Sequence, residues 1–141
     1  MKLSTKILIL LLFAIPFSAQ AQYLGQRMAE NLLIPCKQEQ LSCLIIIPDV
    51  NGTYTINKNE SDLIKIEGAL IWSNTADPEA LAMVSGLELE LLFLSNSIVV
   101  HQETIKTPGK ANKPVLFSHI FKLNKAFDAT AFVEYKFNGP K

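Results

Sequence analysis

The chain has two histidines, His101 and His119. Hydrolysis by a nucleophile, a base and an acid needs a histidine beside a hydroxyl or thiol and a carboxylate to orient it. Both histidines fall in stretches that alternate like strands. His101 shares a face with Val99 and Glu103, so Glu103 is placed to orient it as a base. His119 shares a face with Phe117 and Phe121. The competing account, a surface histidine on a hairpin and a core-edge histidine among phenylalanines, is favoured. No G-x-S-x-G elbow accompanies either one. Glu88 and Glu90 are two apart on one strand face. Paired carboxylates can hydrolyse glycosides, but two glutamates on the polar face of an amphipathic strand are ordinarily solvated or paired with lysines across the sheet.

Metal chemistry has as little to work with. There is no His-x-His, no H-E-x-x-H and no acidic loop of calcium spacing. Asp49-Val50-Asn51-Gly52 offers one carboxylate and reads as a turn. The six glycines are scattered, so no phosphate-cradling loop forms. No catalytic, metal-binding or cofactor-binding residue is assigned, and no cofactor is expected. Asn51-Gly52-Thr53 and Asn59-Glu60-Ser61 fit the N-glycosylation sequon, which matters only in a eukaryotic host.

Cys36 and Cys43 are the only cysteines. A close, even pair in an exported chain is most simply a disulfide. Its eight-residue loop would contribute roughly 2–3 kcal/mol by chain entropy. A redox pair would more typically be C-x-x-C at a helix start, and no helix signal follows Cys43.

Export is read from residues 1–21. Lys2 and Lys6 form a positive start, Ile7 to Phe17 an uncharged apolar run, and Ala19-Gln20-Ala21 the small-x-small cleavage pattern. Cleavage is expected after Ala21. The apolar run is about half the ~20 residues a membrane anchor needs. No cysteine follows it for lipidation, and no later segment is long and apolar enough to span a bilayer. The mature chain is expected in the periplasm or outside the cell.

That chain, residues 22–141, is the length of one domain. Residues 22–105 carry four basic and eleven acidic residues, a net of −7. Residues 106–141 carry seven lysines against Asp128 and Glu134, a net of +5. Acidic and basic strands that become neighbours would neutralise each other; a dipolar surface that docks a charged partner is the sharper alternative. Nucleic-acid binding is disfavoured, because Arg27 is the only arginine of the mature chain and arginine supplies the forked phosphate contact.

The elements that must position these residues are mostly strands. Residues 22–40 read as a short helix or arm, with Leu24, Met28 and Leu32 spaced by four and Pro35 ending any helix. Residues 41–141 form the sandwich domain. Leu44–Ile47 is a β-branched run, followed by Pro48-Asp49 and an Asn51-Gly52 turn signal. Strands are expected over 53–58, 63–72, 87–94, 98–105, 114–123 and 130–137. In 63–72 the even positions face the core, and Lys65 and Glu67 face water. Asp77-Pro78-Glu79 signals one or two helical turns before Ser85-Gly86. Ser95-Asn96-Ser97 is a tight hairpin turn. About seven strands with turns every ten or so residues predict an all-β fold, a single antiparallel β-sandwich closing over Trp72.

The function expected from these signs is that of an exported non-enzymatic sandwich, a protein-interaction module of the envelope or a secreted factor with a protein partner. The candidate contact loop carries Lys106, Lys110 and Lys113 around Pro108-Gly109. One alternative is a small periplasmic carrier of an apolar ligand or lipid, because Leu92 and Leu94 make the second face of their strand partly apolar. The other is a hydrolase of unknown type using His101 or His119.

Overall fold

Alternating apolar and polar residues fold here into two stacked antiparallel sheets. The computed structural model describes residues 22–29, 35–38, 40–73, 79 and 83–137. The leader expected over 1–21, Leu32 of the expected stripe, and most of the helical turn expected after Asp77 lie outside them. Among the described residues eight strands run in order: β1 Cys36–Lys37, β2 Cys43–Ile47, β3 Val50–Lys58, β4 Leu63–Trp72, β5 Gly86–Ser95, β6 Ile98–Pro108, β7 Val115–Lys122 and β8 Ala129–Phe137. One sheet has the order β1-β8-β5-β6 and the other β2-β3-β4-β7. The all-β sandwich is as expected. The eighth strand is the two-residue β1, too short to leave a periodic signal.

The inward faces form one core. Ile64, Ile66, Leu70 and Trp72 of β4 are buried, while Lys65 and Glu67 face outward and pair with each other at 2.8 Å. Leu87, Leu89, Leu91 and Phe93 supply the opposing layer, with Tyr54, Phe117 and Phe132 between. The ring of Phe132 meets Tyr54 edge-on at 4.8 Å. Gly68 lies directly between Tyr54 and Phe117 in the ladder. A Cβ there would run into the Phe117 ring, so glycine makes room for the aromatic on the next strand.

The expected Asn51-Gly52 turn is corrected. Both residues sit inside β3, and the hairpin turns at Pro48-Asp49, where Asp49 takes φ 67°. Asparagine and aspartate both tolerate that left-handed region, and proline before Asp49 sets the bend. The glycine serves packing instead: a Cβ on Gly52 would collide with the Ala69 carbonyl. The Asn96 turn is as read, with Asn96 and Ser97 both at positive φ, the pairing that suits a two-residue hairpin.

Residues 22–29 form an arm rather than a helix. Gly25 N–H donates to the Val99 carbonyl at 2.8 Å, Val99 N–H to that of Gln26 at 2.9 Å, and Met28 N–H to that of Ser97 at 2.8 Å. The arm thus extends the edge of β6. Its Tyr23 and Met28 cover a second small core of Leu92, Leu94, Val99 and Ala131 on the outer face of the sheet. Leu24 of the expected stripe points to water.

Candidate functional site

His101 and Glu103 are two residues apart on β6, so both lean toward the same face. β6 is the last strand of its sheet and β7 the last strand of the other. The geometry therefore brings His119 of β7 to the same carboxylate. His101 Nε2 lies 2.7 Å from Glu103 Oε2, and His119 Nε2 lies 2.8 Å from Glu103 Oε1. An ionised carboxylate only accepts, so both imidazoles donate through Nε2. Phe121 lies between the two rings, stacked on His101 at 5.6 Å and tilted to His119 at 5.5 Å. Burial acts to raise the Glu103 carboxyl, but the hydrogen bonds from His101 and His119 outweigh it and hold the group below the ordinary carboxylate value.

This arrangement ties two sheets together. The expected His101–Glu103 pairing is present, and Glu103 engages the Nε2 of both rings. Among the described residues no group of three His, Cys, Asp or Glu is placed to hold a metal ion. At the opposite edge Cys36 of β1 and Cys43 of β2 form a disulfide, and those strands belong to different sheets. Each lateral edge of the sandwich is closed by one cross-sheet tie, covalent at one side and hydrogen-bonded at the other.

The other candidates separate. Glu88 faces Lys106 at 3.8 Å, a cross-strand pair of the expected kind. Glu90 departs from the expected solvated glutamate: it is only 4% exposed, and its carboxylate accepts from Gln102 Nε2 at 2.8 Å and Thr104 Oγ1 at 2.9 Å. The Tyr23–Met28 arm and a register shift in the β5–β8 ladder at Glu90 build up the surface around it. Lys106, Lys110 and Lys113 are all exposed, but they do not share one loop. Lys106 lies within β6 beside Glu88, while Lys110 and Lys113 lie on the connection to β7. That connection is anchored by Asn112 N–H donating to the Trp72 carbonyl at 2.8 Å. Near this end of the core, Trp72 Nε1 and Thr107 Oγ1 are buried with no hydrogen-bond partner among the described residues, an uncommon state for buried polar atoms.

Two further features escaped the sequence reading. The outer face of the β2-β3-β4-β7 sheet carries exposed Leu44, Ile46, Ile71 and Leu116, the last 80% exposed. The ladder aligns Leu44, Thr53, Ala69 and Leu116 in one row and Ile46, Asn51 and Ile71 in the next. These positions alternate with core residues in strands apolar on both faces, so the sequence pattern does not single them out. The second feature is a cleft of about 270 Å³ beside the disulfide, lined by Cys36, Lys37, Gln38, Gln40, Ile56, Lys58, Phe127 and Thr130. Its walls come from three separate segments, so no local motif announces it. Comparison with protein-family models, with curated proteins and with solved structures returned no match.

Proposed function

We propose that this protein is an exported, non-enzymatic interaction module that docks a protein partner on the outer face of the β2-β3-β4-β7 sheet. The observation that carries this reading is the cluster of Leu44, Ile46, Ile71 and Leu116 at one end of that face. Contiguous apolar surface of this kind on a soluble domain marks a contact site. The other end of the same face is more polar, with Thr55, Glu67 and Ser118 in one row and Asn57 and Lys65 beside an exposed Ile120 in the next. Lys110 and Lys113 on the loop leading into β7 rim the apolar end, which suits a partner with acidic groups around an apolar centre. Export is supported by the leader pattern of residues 1–21 and by the disulfide, a bond that persists in oxidising compartments. The apolar-carrier reading has less support, because the space between the sheets is filled by Tyr54, Ile64, Ile66, Trp72, Leu89, Leu91 and Phe93, all essentially inaccessible.

Site-specific photo-crosslinking in the host tests the docking face. A photoreactive residue at Leu116 should yield one defined protein adduct, and the same residue at exposed Asn57 should yield none. An adduct of twice the chain's mass would make the partner a second copy. Equal labelling from both positions, or none from either, would overturn the assignment.

A further inference from the structure

The cleft beside the disulfide is built from donors. We propose that it binds a small organic acid, a carboxylate on an apolar or aromatic body. Among the described residues its two charged lining side chains are both lysines, Lys37 from β1 and Lys58 from β3. Gln40 Oε1 already accepts from Lys37 N–H at 2.9 Å, which leaves the Gln40 amide nitrogen as a donor. Thr130 adds a hydroxyl from a residue only 1% exposed. That hydroxyl lies 3.0 Å from the equally buried Tyr54 hydroxyl. Two hydroxyls sharing one hydrogen bond keep one O–H to give. Either hydroxyl can be the donor of that bond, and with the more acidic phenol of Tyr54 donating, the Thr130 hydrogen is left for an acceptor in the cleft. Burial, partly offset by the bond to Thr130, pushes the Tyr54 hydroxyl up to about 12 and keeps it protonated.

The remaining lining is apolar. Phe127, Ile56 and Cys36 form the surface against which the body of the ligand would lie. Lys58 has a competitor in Asp62 at 3.5 Å, but both side chains are more than a third exposed. Exposed pairs of that kind contribute little, so Lys58 can turn to an incoming anion. The volume is slightly below the range for drug-sized ligands, which limits the occupant to a molecule of one ring or a short chain. The site takes Ile56 and Lys58 from β3, a strand of the docking sheet, but none of the docking residues Leu44, Ile46, Ile71 and Leu116 lines it, so the two can be tested separately.

Titration of the isotope-labelled mature chain with sodium benzoate, followed by amide chemical shifts at constant ionic strength, tests the assignment. Saturable changes should gather at Lys37, Gln40, Lys58 and Thr130, with a Kd of roughly millimolar order. Benzamide, of the same shape but uncharged, should bind about tenfold more weakly. The paired substitution Lys37→Gln and Lys58→Gln should weaken benzoate by a similar factor while leaving the amide spectrum of the core intact. No saturable change with benzoate would overturn the proposal. So would benzamide binding as tightly as benzoate, inorganic phosphate binding as tightly as benzoate, or a paired variant that binds benzoate unchanged.

Discussion

Glu103 accepts from two imidazoles on two sheets, and its carboxyl is held below the ordinary carboxylate value of 4.5. Ionised Glu103 therefore favours the folded state. A group whose pKa is depressed on folding lends stability above its unfolded value and loses that contribution as pH falls through its folded value. Glu103→Gln should cost about 1–2 kcal/mol at neutral pH, since one imidazole loses its acceptor. The difference between wild type and variant should shrink as pH drops below 4.5. Urea unfolding at a series of pH values measures it, and a difference independent of pH would mean that the carboxylate charge is not what holds the edge. In the sequence, the His101–Glu103 half of this bridge was visible, because two positions apart on a strand is one face. His119 was legible only as a core-edge residue. Its meeting with Glu103 depends on β6 and β7 being the last strands of facing sheets, which no residue spacing encodes.

At the scale of elements, the alternating patterns placed seven strands within a few residues of their observed bounds, and even positions 64 to 72 lined the core as read. Where the pattern was apolar on both faces it could not say which face would be covered. β5 has Leu92 and Leu94 on its outer side, and the arm of residues 22–29 covers them through Tyr23 and Met28. β2 and β7 have Leu44, Ile46 and Leu116 on theirs, and no described segment covers those. Of the two readings of this segment, helix or arm, residues 22–29 take the arm: spacing of four suits a helix, but Val99 and Ser97 at the edge of β6 offer its backbone partners. The double substitution Tyr23→Ala and Met28→Ala should destabilise the protein by about 2 kcal/mol through lost apolar contact. It should also promote self-association as Leu92 and Leu94 become accessible. Thermal unfolding and sedimentation velocity report the two effects; an unchanged Tm would mean that the arm adds no stability.

Across the whole molecule the two lateral ties have different chemistry and share no residue. Removing the disulfide with Cys36→Ser and Cys43→Ser should cost roughly 2–3 kcal/mol. Combining it with Glu103→Gln should cost the sum to within about 0.5 kcal/mol, as expected for separate sites. Between them runs a layer of touching rings: Phe121 and His101 contact Phe93 at 5.5 and 5.7 Å, and Phe93 contacts Phe127, at the cleft, at 4.9 Å. A coupling well beyond that margin, measured by a double-mutant cycle, would mean that this layer transmits strain from one edge to the other. The docked arm carries a different consequence, one of timing. For a chain cut after Ala21, the bond cleaved would be the one joining Ala21 to Gln22, and the Gln22 side-chain Nε2 donates to Glu134 Oε1 at 3.0 Å. The arm's ladder to β6 begins only three residues later. A protease needs an extended, accessible substrate there, so maturation and folding compete for the same few residues. On the proposed export reading, the leader would have to be removed before the arm seats, and a precursor that folded early would shield its own cleavage site.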